Sequence, residues 1–428
     1  MQTYYYNQLT PEQKAGLSKR PSIDLGSAKA IAQKIIDSII SDSDKAVRAA
    51  TAEFDGVTIS ETAVTEAEIA ASASTLEKPL KIALEQAKAN IQSFYSEQKL
   101  ERFEKETMQG VVCFSEPRAI EKVGLYIPGG SAVLPSTVLM LGVPALLAGC
   151  SQVVLCTPPD KNGNIEPSIL YAAQLCGISE IYKVGGAQAI AALAYGTETI
   201  PKVDKIFGPG NQYVSAAKML VSIDPAGAQI DMVAGPSEVL VIADDEARSD
   251  FIAADLLAQA EHGPDSQVVL VSDSSSKVES VLTEVKSQLR SLPRREIAEI
   301  ALENSLAIIT ESIEKAFEFT NEYAPEHLII NTKDAENYVN KVQNAGSVFI
   351  GQYSPESAGD YASGTNHSLP TSGYAKATSG ISVASFCKQI TFQKLTESGA
   401  RLIGPTVATI AAAEGLDAHK RAMEIRYV

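Results

Sequence analysis

The sequence predicts an α/β protein built on parallel sheets. Three observations carry this reading. From Val123 onward, short apolar strands alternate with helices. The alternation runs through two series of similar period, without a strict sequence repeat. Loops after strands in the first series carry Gly and Pro: PGG, VGGAQ and GPGN. That is the rhythm of strands joined by crossover helices, with ligands expected beyond the carboxyl ends of the strands. At 428 residues the chain exceeds what one core usually supports, so two or more domains are expected.

Residues 1–24 are polar and Tyr-rich, and read as an arm that docks elsewhere. From Ser27 to Glu53 the apolar residues recur at helical spacing. Pro79 opens a further helix, with Leu80, Ala83, Leu84, Ala87, Ile91 and Phe94 on one face. The first α/β series runs VGLYIPGG (123–130), a helix over 131–149, VVLCTPP (153–159), a helix near 166–176, IYKVGG (181–186), AQAIAALAYG and KIFGPGN (205–211). After GPSE (235–238) come VLVIADD, QVVLVSD, LAIITE, HLIINT and SVFIGQ, with helices near 249–262, 274–290, 313–322 and 333–344. The tail from about 380 ends in two helices. Pro405 opens one, Gly415 stops it, and Asp417 caps the next.

Composition excludes several classes. Apolar content of 45% and charged content of 21% are those of a globular protein. A net charge of −16 argues against a nucleic-acid partner, which needs a basic face. The N-terminus lacks a basic start followed by an apolar core. The longest apolar stretch, Ser131 to Cys150, is broken by Pro135, Gly142 and Pro144, so no membrane span is expected. Five cysteines lie scattered, without a C-x-x-C pair, as in a reduced cytoplasmic protein.

The chemistry centres on four histidines, His262, His327, His367 and His419, each with a carboxylate or amide close in sequence. A lone His is more often a hydrogen-bonded structural residue than a functional one. That reading weakens when every His has such a companion. Gln259 and His262 share a helix face, and Gly263-Pro264 stops the helix directly afterwards. With Asp360 in a Gly-rich loop and His419 in the tail, they make a donor set suited to a borderline ion such as zinc. Q-x-x-H alone is a weak signal. Glu326 and His327 follow Pro325, and a Pro-shaped turn would let both reach one cavity as proton-transfer groups. The competing reading is a strand entry with a solvated Glu. No G-x-G-x-x-G follows any strand, so a nucleotide is left open by the residues alone.

The long strings YIPGGSAVLPSTVLM, VGGAQAIAALAYGT, KIFGPGNQYV, AGPSEVLVIAD, QAEHGPDSQV, YAPEHL and SGTNHSLPT resemble the histidinol dehydrogenase family. The resemblance runs from about residue 25 to the C-terminus. It implies oxidation of L-histidinol to L-histidine by two NAD⁺ through bound histidinaldehyde, the last step of histidine biosynthesis. It implies Gln259, His262, Asp360 and His419 as zinc ligands, which also contact substrate, and Glu326 and His327 as the catalytic pair. Ser237, His367 and Glu414 would touch substrate. Tyr126, Gln188 and Asn211 would bind NAD⁺, and no departure occurs among these residues. The implied fold has two incomplete Rossmann-like, aldehyde-dehydrogenase-like parallel-sheet domains. One is 125–237, for NAD⁺. The other, 25–124 with 238–379, carries the metal and catalytic residues. Residues 1–24 form the arm and 380–428 a helical tail. The implied assembly is a cytoplasmic homodimer whose sites are completed across the interface.

Four other readings compete. A zinc hydrolase would need no NAD loops. An aldehyde dehydrogenase would need a Cys nucleophile, yet Cys150 and Cys156 lie in apolar runs. A metal-binding scaffold would have no use for Glu326–His327. The nearest rival is a related zinc/NAD dehydrogenase of another small amino or polyol alcohol.

Overall fold

The computed structural model describes residues 1–20, 25–98, 100–129, 132–232 and 235–426. The end of the arm (21–24), Gly130 and Ser131 of the PGG loop, Ala234 of AGPSE and the last two tail residues lie outside them. The chain opens with β1 (Gln2–Tyr5) and α1 (Pro11–Leu17). Thr10 caps α1 in a reciprocal box with Gln13. Then follow α2 (Leu25–Ala50), α3 (Glu66–Thr75) and α4 (Lys78–Ser96), with Pro79 in the first turn of α4 as expected. The next two strands are β2 (Phe103–Met108) and β3 (Val111–Ala119).

The first α/β body comprises β4 (Lys122–Tyr126), α5 (Pro135–Ala148), β5 (Gln152–Thr157), α6 (Pro167–Leu175), β6 (Glu180–Lys183), α7 (Gly186–Tyr195), β7 (Lys205–Phe207), α8 (Gln212–Ile223) and β8 (Gln229–Ile230). Its strands run in the order β6-β5-β4-β7-β8, all parallel. The apolar stretch that ends at Cys150 is the buried helix α5. Helices α5 and α6 cover one face. Helices α2, α7 and α8 cover the other, with Ile36, Ile39 and Val47 of α2 in that core.

The second body comprises β9 (Glu238–Ala243), α9 (Ser249–Ala260), β10 (Gln267–Ser272), α10 (Ser275–Leu289), α11 (Arg295–Glu303), β11 (Leu306–Ile309), α12 (Ile313–Tyr323), β12 (His327–Asn331), β13 (Ser347–Ile350) and α13 (Glu356–Tyr361). Its sheet is also parallel throughout, in the order β1-β11-β10-β9-β12-β13. The arm therefore docks on the protein's own sheet, as an edge strand beside β11. The helix expected near 333–344 is a 3₁₀ helix over Ala335–Lys341.

The tail differs from its expected form. It begins with a strand, β14 (Cys387–Leu395), which pairs antiparallel with β3 in a three-stranded sheet, β14-β3-β2. The helix α14 (Glu397–Ala413) starts eight residues before Pro405. Thr396 caps it through the Gly399 N–H, and Pro405 sits inside. A good cap outweighs the loss of one backbone donor in an exposed helix. Gly415, at φ 73°, ends α14 as expected. In α15 (Asp417–Glu424), Leu416 occupies the cap position and Asp417 is already helical. Helix α14 buries a stripe of small residues, Ala400, Gly404, Ala408 and Ala411. Among the described residues, no helix is long and apolar enough to cross a membrane.

Candidate active site

A buried polar cluster around Glu326 and His327 forms at the amino ends of β9 and β12, which are neighbours in the sheet. Helix α12 ends with Ala324 in the left-handed region, at φ 53°. Pro325 then turns the chain, so Glu326 and His327 reach one cavity although they are adjacent. The backbone of Glu238 clamps both. Its N–H donates to Glu326 Oε2 at 2.8 Å. Its carbonyl lies 3.0 Å from His327 Nδ1. A carbonyl only accepts, so Nδ1 carries the proton and Nε2 is left as the basic nitrogen. Nε2 is buried, 3.4 Å from Asp360 Oδ1, and makes no hydrogen bond of good geometry among the described residues.

Helix α13 supplies Glu356 and Asp360, one turn apart and both buried. Ligand atoms of His327, Glu356 and Asp360 lie within 4.8 Å of one another. Glu356 Oε1 is 3.7 Å from His327 Nδ1. Sequence reasoning missed Glu356. Its signal was the i, i+4 spacing to Asp360 in PESAGD.

The electrostatics favour proton exchange. Burial pushes the Glu326 carboxyl up to about 8, against the pull of His327 and the Glu238 N–H. Burial opposes the charged form of His327, but Glu356, Glu326 and Asp360 favour it, and the net direction is a raised pKa. The His367 ring is held by two contacts. Nδ1 meets the Asp360 carbonyl at 2.9 Å, and Nε2 meets Thr137 Oγ1 of α5 at 3.0 Å. Asn366 Nδ2 donates to the Met140 carbonyl, so this loop ties the cluster to the first body.

Gln259 and His262 lie at the end of α9, against which α13 packs. Gln259 is wholly buried, yet neither its amide nitrogen nor its oxygen has a partner among the described residues. His262 keeps an exposed edge, but the protein around it lowers its pKa, and Asp360, His327 and His367 lie close enough to act on it. A neutral imidazole, a carboxylate and an orphaned buried amide fit a borderline metal ion. His419 and Glu414 are not brought there within one chain. Both are exposed, with no hydrogen bond to the cluster. Ser237 is half-buried, directly before β9.

The three positions picked for nucleotide binding line one cavity of about 660 Å³ at the carboxyl edge of the first sheet. Tyr126 is buried, and its hydroxyl accepts the Gly186 N–H at 3.1 Å. Gln188 donates to Asp55, a carboxylate that burial lifts to about 6. Asn211 caps α8 by accepting from Tyr213 and Val214. The amino end of α7 opens on this cavity and suits a phosphate. Gly208 lets β7 approach β4, because a Cβ there would sit 2.0 Å from the Tyr126 carbonyl. Burial pushes the Cys150 and Cys176 thiols up to about 12, and Cys156 is also raised. None of the three can supply a thiolate nucleophile near neutral pH.

Comparison with known proteins gives a consistent result. The family model described as histidinol dehydrogenase matches residues 18–427. A histidinol dehydrogenase of Bacteroides thetaiotaomicron is 55% identical over 415 residues, covering 97% of this chain and 96% of that one. One from Vibrio cholerae is 54% identical over 428 residues, covering 100% of this chain and 98% of its own. The crystal structure of histidinol dehydrogenase from Elizabethkingia anophelis is 51% identical, with a TM-score of 0.96, and covers 100% of this chain and 98% of its own.

Proposed function

Because the chain belongs to the histidinol dehydrogenase family, we propose a specific division of labour for its NAD-dependent oxidation of L-histidinol to L-histidine. Residues 125–237 bind NAD⁺, with Tyr126, Gln188 and Asn211 lining the pocket. Residues 238–379 carry the catalytic and metal groups, whereas α2, α3 and α4, expected from the sequence to belong with them, pack against the helices of the NAD⁺-binding body. The observation that carries this reading is the clamp on Glu326 and His327 beside Asp360.

His327 Nε2 takes the proton from the substrate hydroxyl as hydride leaves the carbinol carbon. A positioned base contributes about 10²–10⁴-fold to such a step. The Glu238 carbonyl fixes the tautomer that makes Nε2 the acceptor. Bound NAD⁺ supplies the hydride acceptor in each of two oxidations. Glu326 removes a proton from the water that adds to the aldehyde. It is poised to do so because burial places its pKa near the working pH. Asp360, Ser237, His367 and the partner subunit's Glu414 orient the substrate.

Gln259, His262 and Asp360 would hold zinc, with the partner subunit's His419 completing the set. The bound ion would act as a template for the substrate amine and imidazole. The unpartnered Gln259 amide supports this assignment. The exposed tail supports a homodimer with shared sites, and the scattered cysteines support cytoplasmic residence.

The test is product stoichiometry with purified protein, L-histidinol and NAD⁺, alongside a panel of other small amino and polyol alcohols. The expected result is two NADH per histidinol and no free aldehyde. One NADH with released aldehyde would overturn the two-step reading. Faster turnover of another alcohol would favour the related-dehydrogenase alternative.

A further inference from the structure

Both sheets reverse their strand order once, and such a switch point opens a crevice at the carboxyl ends of the strands. In the first body the switch lies between β4 and β7, and the nucleotide cavity opens there. In the second body it lies between β9 and β12. The catalytic cluster uses the opposite, amino edge of those two strands. Their carboxyl edge opens on a separate cavity of about 520 Å³, formed by the segments after β9, β12 and β13. That volume is typical of small-molecule sites.

The floor of this cavity holds two polar side chains with unmet hydrogen-bonding capacity. Asn331 is 2% exposed and Thr332 is 7% exposed. Asn331 Nδ2 and Thr332 Oγ1 are buried without a partner among the described residues, and both residues line the cavity. Leaving such groups unpaired in the protein interior is unfavourable.

The walls are acidic. Glu246, Asp334 and Glu336 line the cavity with a single lysine, Lys333, which already pairs with Glu246 at 2.8 Å. Asp334 and Glu336 are exposed and form no salt bridge among the described residues. A phosphate would meet repulsion here. A bare divalent ion also fits poorly. Among the described residues, the only group of three converging metal-ligating side chains is His327, Glu356 and Asp360, which lies elsewhere.

We propose that this crevice is a second ligand site, taking a small organic cation that also carries a carbonyl or hydroxyl oxygen. Its ammonium groups face Asp334 and Glu336. Its oxygen accepts from Asn331 Nδ2 and meets the Thr332 hydroxyl. An amino-acid amide has this chemistry and fits the volume. The site does not depend on the catalytic assignment, since it shares no residue with it.

The probe is L-lysinamide, titrated calorimetrically into the zinc-loaded, NAD⁺-saturated enzyme. The wild type is expected to bind it. Asp334→Asn/Glu336→Gln should weaken binding about tenfold or more, by loss of two charge-assisted contacts. Thr332→Val should weaken it about fivefold without lowering the thermal midpoint of the unliganded protein, since the variant removes an unpaired hydroxyl. Thermal midpoints of all variants establish that each is folded. Three results would overturn the proposal. These are no heat with wild type, binding unchanged in the folded variants, or AMP or calcium binding at these residues in place of the cation.

Discussion

At the scale of single residues, the consequence of burial at Glu326 is a pH dependence. Its carboxyl is raised to about 8, so it is mostly protonated at neutral pH, and its basic form grows as pH climbs through that value. With Glu326 as the proposed base for the aldehyde step, the rate of that step should rise with pH through about 8. Glu326→Gln should abolish that rise and slow the aldehyde step about 100-fold or more, with a smaller effect on alcohol oxidation. His327→Ala should slow both steps. Single-turnover rates from histidinol and from histidinaldehyde measure the difference. Equal losses on both substrates for Glu326→Gln would refute its assignment to water. A second prediction concerns the metal. His262→Ala and Asp360→Ala should stay folded but lose zinc, measured by elemental analysis after dialysis. Retention as tight as wild type would remove them from the ligand set.

These residues were legible because each sits in a local string with a polar companion. Glu326–His327 follow a proline, and Gln259–His262 share a helix face. Glu238 and its partner were not legible. Their meaning comes from a pairing across 218 positions, which no local pattern encodes.

At the scale of elements, that partner gives the arm a role. Arg20 reaches under the cluster and binds the Glu238 carboxylate through two nitrogens, at 2.9 and 2.8 Å. Its guanidinium also lies over the Tyr323 ring, 3.4 Å from the centroid. Glu238 Oε1 accepts the Ser372 N–H, so three segments meet at this buried pair. The same residue's backbone clamps Glu326 and His327. Arg20→Met would strand a buried carboxylate, at a cost of about 3–5 kcal/mol. The thermal midpoint should fall and kcat should drop with it. Adding Glu238→Gln removes the stranded charge and should restore most of the stability. If Arg20→Met alone leaves the midpoint unchanged, the arm does not hold the clamp. The other element-scale surprise, the sheet β14-β3-β2, has a physical reason too. Strand β2, FEKETM, is exposed along its whole length and shows no apolar alternation. Strands β9, β10 and β12 are buried along their whole length and read as continuous apolar runs, so they were legible, whereas the exposed edge strands β1 and β8 were not.

At the scale of the molecule, the proposed dimer would account for the tail. Helix α14 hides its small residues, yet Leu402 and Ile410 are exposed, as are Leu416 and Ile425 beyond it. Phe103, Met108 and Ile390 of the antiparallel sheet are exposed as well. Exposed apolar side chains gathered on one appendage mark an interaction surface. The sequence pointed to Ile403, Val407, Ile410 and Ala411 as the buried face. Ala411 is buried and Ile403 and Val407 are half-buried, while Ile410 is turned outward. His419 and Glu414 sit on the same appendage and are exposed, away from the Gln259 amide that lacks a partner. A two-fold dimer in which each tail embraces the other body would bury the apolar face and supply the missing ligand together. Mixing two inactive variants, His327→Ala and His419→Ala, tests this under conditions that let subunits exchange. If the tail acts in trans, the mixed dimer holds one site with an intact body and an intact tail, and activity returns. With random exchange of equal amounts, about half the dimers are mixed and each carries one working site of two, so about a quarter of wild-type activity is expected. If the tail serves its own chain, every site lacks one group and no mixture recovers. Exchange verified by a mass-tagged subunit, with no recovery, would place His419 in the site of its own subunit.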